Sequence, residues 1–350
     1  MKKINPFIKF FTMTGFLSIL MLGLSGCSEP QIPTGYALIY GIADYSSWSG
    51  FYPGYTLGSL DLTDDDALAM AEMLEDKGWD VRLRLDDGSQ ADTAIASREQ
   101  FEEDIVYLST IMNQEDRFLF YYSGHGASIS GQGDDIEPDS GVAGDEWIFL
   151  YADAPDWSQD EWLDHTFNDD SLGAELSRLP NRIKMVILDS CNSGGFIGTS
   201  PTVDTIPWNY TPTKDSDYEE GTAGAAFSAW LNFPETTSAD ILSSEAIVMT
   251  AAGENEESWE SGDHGIFTGL LLETPANGDK NGDGWITVTE AYVYCLDGLQ
   301  ASWNAAELED YEQLQIIYGD DPYNHGYVDN YSYLPHITGS PLDFILYEAD

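Results

Sequence analysis

The sequence predicts an α/β fold, a mostly parallel sheet with helices on both faces. Two observations carry that expectation. Apolar runs of about five residues, short for helices, alternate along the chain with longer stretches of helical periodicity. The glycine-rich strings Gly124-His125-Gly126 and Asp189-Ser190-Cys191-Asn192-Ser193-Gly194-Gly195 each follow such a run closely, as loops do at the carboxyl ends of parallel strands. With 350 residues, 42% of them hydrophobic, the chain can bury a sizeable core.

In chain order, Ala37 to Ile42 is a buried strand. Thr63 stands where it can cap a helix from about Asp64 to Lys77, which Gly78 ends. Trp79 to Leu83 alternates as a strand. Ser97 with Gln100 forms a capping box for a helix to about Met112. Arg117 to Tyr122 and Lys184 to Leu188 are the strands that lead to the two glycine-rich strings. Between them, Asp145 to Tyr151 is a short hairpin element and Leu172 to Leu179 a helix. Gly198 to Ser244 is rich in Thr, Pro, Ser, Gly and acid and reads as a linker. Ala246 to Ala251 is a further strand, Gly265 to Glu273 a short helix, and Phe344 to Leu346 a last strand. No internal repeat is present.

Charge is lopsided: 13 Lys and Arg against 62 Asp and Glu, a net charge of −49. Nucleic acid is excluded as a partner, because phosphate binding needs a basic face. After Lys280 there is no Lys or Arg at all. At the amino end, Lys2, Lys3 and Lys9 precede a largely apolar run from Phe10 to Leu24, short for a membrane span and shaped like a signal peptide. Leu24-Ser25-Gly26-Cys27 resembles a bacterial lipoprotein signal. That resemblance implies a signal over residues 1–27, a lipid on Cys27, a tether over 28–35 and a place in the cell envelope, at the outer membrane or cell surface. Any membrane contact is then through the lipid alone. If Cys27 carries lipid, only Cys191 and Cys295 remain and no disulfide framework is implied. Cys295 lies in an apolar helical pattern and reads as a buried small hydrophobe.

Cys191 is therefore the one thiol in a glycine-rich loop. A thiol attacks as thiolate and needs a nearby base. His125, at the end of another strand, can take the thiol proton and return it to a leaving amine. The N–H groups of Gly126 and Cys191 are candidate oxyanion donors, worth ~3 kcal/mol in such a role.

Tyr121 to Gly126 and Asp189 to Gly195 resemble the caspase-like cysteine peptidases, most of all metacaspases and bacterial caspase-like proteins. The resemblance extends to Leu60–Ala67, and to Ala246–Gly253 with His264–Thr268. It implies a caspase-like three-layer sandwich. It also implies a large-subunit-like region over 36–200, a linker over 201–245 and a small-subunit-like region over 246–350. The activity implied is cysteine-type endopeptidase, acting on protein or peptide substrates. His125 and Cys191 are 66 residues apart, longer than the ~50 of caspases; the extra residues fall in the acidic stretch Gly131 to Asn168. In the metacaspase-like pocket one acid stands two residues before the Cys and another at the first helix entry. Asp189 and Asp66 occupy those places, implying cleavage after Arg or Lys. Family members are often cut in the linker, where Lys214 is the only basic residue between Lys184 and Lys280, so self-cleavage after Lys214 is expected.

Asp279 to Glu290 fits an EF-type calcium loop. Asp279, Asn281 and Asp283 fill positions one, three and five, and Gly284 makes the turn. Trp285 offers a carbonyl, Thr287 a direct or water-mediated contact, and Glu290 two oxygens. An exit helix from Thr289 to Gln300 follows, whereas Pro275 to Gly278 is expected to break any entering helix. Two other functions stay open: a non-catalytic surface binding or adhesion module on the same fold, and a transpeptidase that passes its acyl group to an amine.

Overall fold

The computed structural model describes residues 33–52, 55–86, 94–136, 143–153, 164–181, 183–191, 193, 196, 246–253, 257–303, 334–339 and 344–350. Cys27 and Lys214 lie outside them, as do the expected signal and linker.

Seven strands form the central sheet: β1 (Gly35–Gly41), β2 (Asp80–Leu85), β3 (Ala94–Ile95), β4 (Arg117–Ser123), β5 (Lys184–Asp189), β6 (Ala246–Thr250) and β7 (His336–Gly339). Their order is β7-β6-β5-β4-β1-β2-β3. All pairs are parallel except β6 with β7. The sheet is thus the mostly parallel one expected, with an antiparallel edge strand.

The period-two alternation of the strands divides the core. One side of β1, β4 and β5 (Leu38, Tyr40, Phe118, Phe120, Tyr122, Val186, Leu188) packs with Phe101, Ile105 and Leu108 of helix α2 (Arg98–Ile111), and with Leu172 and Leu176 of α3 (Asp169–Leu176). The other side (Ala37, Ile39, Leu119, Tyr121, Met185, Ile187) packs with Ala67, Met70, Ala71 and Leu74 of α1 (Thr63–Asp76). It also meets α4 (Ile266–Leu272) and α5 (Val288–Ala301). Each helix buries an i, i+3, i+4, i+7 stripe or close to it, worth ~1.5–3 kcal/mol for each large apolar side chain removed from water. Cys295 is fully buried in this second layer.

Local differences from the sequence expectation have physical causes. The Thr63 hydroxyl does not cap α1; it donates to the Ile42 carbonyl at 2.6 Å. Just ahead of the helix, Glu260 takes the amides of Asp61 and Leu62 (3.3 and 3.1 Å). Ser97 does cap α2, accepting from the Gln100 amide. α3 starts three residues earlier than expected because Asn168 and Ser171 form a capping box. The expected hairpin element is the middle strand, Ala143–Phe149, of a three-stranded sheet with Gly126–Ile136 and Thr166–Asn168. Before the calcium-type loop, α4 is followed by a helical turn, Thr274–Asn277, with Pro275 in its first turn. Proline is tolerated there because the N–H it lacks has no partner in a first turn, so a helical segment does enter the loop. No helix among the described residues is long and apolar enough to cross a membrane.

Candidate active site

β4 and β5 are neighbours in register, Ser123 opposite Asp189, and the Gly124 amide donates to the Asp189 carbonyl at 3.2 Å. Their loops therefore leave the sheet side by side and carry His125 and Cys191 out together. Gly126 lies so close to the other loop that a β-carbon there would be 2.2 Å from the Cys191 carbonyl oxygen. Only glycine fits. The Phe149 amide donates to the His125 carbonyl, marking those two as a bonded antiparallel pair. The next pair, Gly126 opposite Ile148, is then a non-bonded one, so the Gly126 N–H turns away from that strand.

His125 is held on several sides. Its Nε2 lies 2.7 Å from the Gly58 carbonyl, which makes Nε2 the protonated nitrogen and leaves the lone pair on Nδ1. Its amide donates to the Tyr45 hydroxyl (2.9 Å), and its carbonyl accepts from Tyr122 (2.8 Å). The Tyr45 ring packs edge-on against the imidazole, centroids 4.6 Å apart. The Tyr45 hydroxyl also donates to the Phe149 carbonyl, the Tyr122 hydroxyl oxygen lies 2.8 Å from that same carbonyl, and both side chains are fully buried. Burial lowers the His125 pKa from its ordinary value, the Gly58 contact opposing it. Burial also pushes the Cys191 thiol up to about 11. The thiol donates to the Ser258 carbonyl at 3.7 Å rather than to His125. The resting pair is thus a neutral thiol and a neutral imidazole.

Asp66 and Asp189 come together although 123 residues of chain separate them. They flank Gly265, where a β-carbon would meet Oδ2 of each at 2.8 Å. Asp66 accepts from Ser123 Oγ (3.0 Å), the Gly265 amide (3.0 Å) and His264 Nδ1 (3.1 Å). Asp189 accepts from Ser258 Oγ at 2.5 Å and from the Thr268 hydroxyl at 2.6 Å, and Thr268 in turn receives the Tyr121 hydroxyl. No Lys or Arg among the described residues reaches either acid. Burial first, then the charge of Asp189, raises Asp66 to about 8; burial likewise raises Asp189.

Tyr45, Ser258 and the Gly58 carbonyl have no motif in the sequence, and Tyr122, Ser123 and Thr268, though inside the strings that carry the resemblance, have no role assigned there. The Gly58 carbonyl has no sequence signal at all, since every residue carries a carbonyl. His264, Gly265 and Thr268 lie in a string that resembled the caspase-like peptidases, yet its link to Asp66 and Asp189 spans up to 199 residues.

The calcium-type loop lies at the other end of the sheet. Its Trp285–Thr287 strand pairs with Ile345–Glu348. That second strand's carbonyls receive Trp79 Nε1, just before β2, and Arg117, the first residue of β4. Asp279 accepts the amides of Gly282, Asp283 and Gly284. Asn281 accepts that of Asp283, and Asp283 that of Trp285. Thr287 caps α5 in a capping box with Glu290, and Glu290 also accepts from the Asn281 amide at 3.4 Å, bringing position twelve back to position three. Gly284 takes φ of +86° at the turn. These hard oxygen donors suit calcium. Among the described residues, no three His, Cys, Asp or Glu converge as a metal cluster.

The profile of the caspase domain matches residues 34–293. Among solved structures the chain is similar to protein GSU0716 from Geobacter sulfurreducens, at 21% identity, covering 75% of this chain and 88% of that one, with a TM-score of 0.46. It is also similar to caspase-1 from Spodoptera frugiperda, at 12% identity, covering 91% and 92%, with a TM-score of 0.45. No curated protein matches it. The domain match spans most of the chain and all four of Asp66, His125, Asp189 and Cys191, so the chain belongs to the caspase domain family, a family of the cysteine peptidase kind.

Proposed function

We propose that the protein is a cysteine endopeptidase that cuts after Arg or Lys. One observation carries the specificity: two buried carboxylates flank Gly265 beside the thiol loop, with hydroxyls, amides and one imidazole for partners but no guanidinium or ammonium. A buried anionic pair is costly unless a cation completes it, and a substrate Arg or Lys supplies that cation.

In this reading Cys191 attacks the scissile carbonyl while His125 Nδ1 takes the thiol proton. Because the thiol is raised and the imidazole lowered, the proton moves during attack rather than before it. The Gly126 and Cys191 amides receive the developing oxyanion. The imidazolium then protonates the leaving amine, and the neutral imidazole activates the water that cleaves the thioester. Gly58 and Tyr45 keep the ring in place throughout.

Calcium is assigned a structural role. Asp279, Asn281, Asp283, the Trp285 carbonyl, Thr287 and Glu290 would hold it, and bound there it would supply positive charge that fixes the loop. The loop's link to the amino ends of the strands argues for stabilisation rather than a part in the chemistry. Cys27 is proposed to carry a lipid that anchors the chain in the cell envelope, and Lys214 to be a self-cleavage point.

The test is hydrolysis of fluorogenic peptides bearing Arg, Lys, Asp or Asn before the reporter, with calcium varied, against Cys191→Ala. Turnover on Arg and Lys peptides, abolished in Cys191→Ala, is the expected result. Turnover after Asp removes the pocket assignment, and no turnover on any peptide favours a binding module. In the same incubations, a new amino terminus at Asp215 marks cleavage after Lys214; a stable two-chain product starting elsewhere excludes it.

A further inference from the structure

Ser258 touches both halves of the site. Its hydroxyl donates to Asp189 Oδ1 at 2.5 Å, and its carbonyl accepts from Cys191 Sγ at 3.7 Å. One residue thus ties the acid of the pocket to the sulfur of the nucleophile. It is half-buried and sits just ahead of the short hairpin formed by Glu260–Ser261 and His264–Gly265. Trp259, the next residue, accepts the Ile266 amide, so the segment is pinned on its far side. The other oxygen of Asp189 is already engaged by the Thr268 amide and hydroxyl. A guanidinium reaching Asp189 finds the open acceptor position on Oδ1, the oxygen that Ser258 holds, and competes with that hydroxyl for it.

We infer that Ser258 is a substrate-responsive latch: it keeps the Cys191 thiol bonded to its carbonyl while the acidic pocket is empty, and releases it when a cation displaces its hydroxyl from Asp189. The inference rests on the basic-substrate reading of that pocket. Ser258 is a positioning residue in this scheme, acting on the reacting sulfur only through its hold on it. Two consequences follow from the geometry. A peptide lacking a basic side chain leaves the thiol bonded, so selectivity is exerted on the chemical step as well as on binding. An idle enzyme also has its thiol partnered, which slows reaction with small electrophiles.

The experiment measures alkylation of Cys191 by iodoacetamide in the full chain, followed peptide by peptide by mass spectrometry, with and without saturating methylguanidine. Methylurea, of the same shape and uncharged, is the control. Binding is read separately as a rise in melting temperature. In the native protein methylguanidine should speed alkylation by about 3- to 10-fold, the range expected when one neutral hydrogen bond is lost, and methylurea should not. Ser258→Ala keeps the carbonyl but loses the hydroxyl; its alkylation should already be fast and respond less than 2-fold (roughly) to methylguanidine. Ser258→Thr, which retains the hydroxyl, should restore the response. Equal acceleration in Ser258→Ala and the native protein would assign the effect to the cation's charge alone and overturn the latch. Binding of methylguanidine without any acceleration would overturn the latch and leave the pocket reading standing. Absence of binding would overturn both.

Discussion

Replacing Asp66 by Asn tests the acidic pocket most directly. The amide keeps the size of the side chain and, in the place of Oδ2, an oxygen to accept from Ser123 and Gly265. What it removes is the capacity to become an anion. Asp66 is raised to about 8 by burial and then by the charge of Asp189. Below that pH the native pocket holds one proton on Asp66, and an incoming guanidinium meets a neutral partner there. Above it, Asp66 is ionised. Loss of a hydrogen bond to a charged group costs ~1.5–3 kcal/mol, or about 10- to 150-fold in kcat/KM at 1.36 kcal/mol per decade. Near pH 9 Asp66→Asn should therefore be slower than the native protein by that factor on an Arg peptide. Near pH 6 the native Asp66 is itself largely neutral, and the two should converge. The ratio of native to variant kcat/KM between pH 6 and 9 is the assay, because contributions of His125 and Cys191 cancel in it, and a citrulline peptide should give a flat ratio. A ratio for the Arg peptide that stays near one throughout would refute the pocket; a large ratio with no pH dependence would refute the protonated Asp66. Stability gives a second reading. The folded protein retains the Asp66 proton from the ordinary carboxylate range up to about 8, whereas the unfolded chain loses it near ~4. This group's contribution to stability is full below that lower value and is lost as pH rises to about 8. Denaturation midpoints of Asp66→Asn should accordingly gain on the native protein across that window.

With a raised thiol and a lowered imidazole, alkylation of Cys191 should climb in one alkaline step. A plateau of reactivity in the acid range would mean a preformed thiolate–imidazolium pair and refute the neutral ground state. Tyr45→Phe keeps the ring against His125 but strands its amide. That should cost ~1–3 kcal/mol in urea denaturation and lower kcat more than it changes KM; an unchanged kcat would remove Tyr45 from the positioning of the imidazole. Calcium should raise the melting temperature, and Glu290→Gln should abolish the rise while leaving peptide hydrolysis at 25 °C within about 2-fold of the native rate, the loop lying away from the reacting atoms. Loss of hydrolysis in Glu290→Gln at its native melting temperature would instead tie the loop to the chemistry.

The parts of this architecture legible in the sequence are those with short-range causes. Strands β1, β4, β5 and β6 were legible as apolar runs because both their faces are covered. Helix α2 was legible because its cap is local. Thr63 was misread because its hydroxyl finds a tertiary partner, Ile42, and Glu260 reaches the turn ahead of α1 across 199 residues. The strands Gly126–Ile136 and Ala143–Phe149 were obscured by glycine and acid in a segment whose pairing is set by the neighbouring strand. At the site, glycine flanks and strand ends pointed to His125 and Cys191. Asp66 and Asp189 came from the resemblance. Their hydroxyl partners had no local signature, since Ser258 and Thr268 matter only once the chain has folded back on itself.

That folding back orders events in time. On the ribosome the two strands that carry His125 and Cys191 can pair before residue 246 exists, as β4 and β5 are neighbours without help from β6. The acidic cluster of Asp66 and Asp189 is completed later, by Ser258, His264, Gly265 and Thr268, through contacts spanning 69 to 199 residues. Such long closures are slow relative to local pairing. A nascent chain can thus bring His125 and Cys191 side by side before the proposed acidic pocket is complete. The hydroxyl and carbonyl of Ser258 arrive together, so the residue that bonds Asp189 is also the one that bonds the Cys191 thiol.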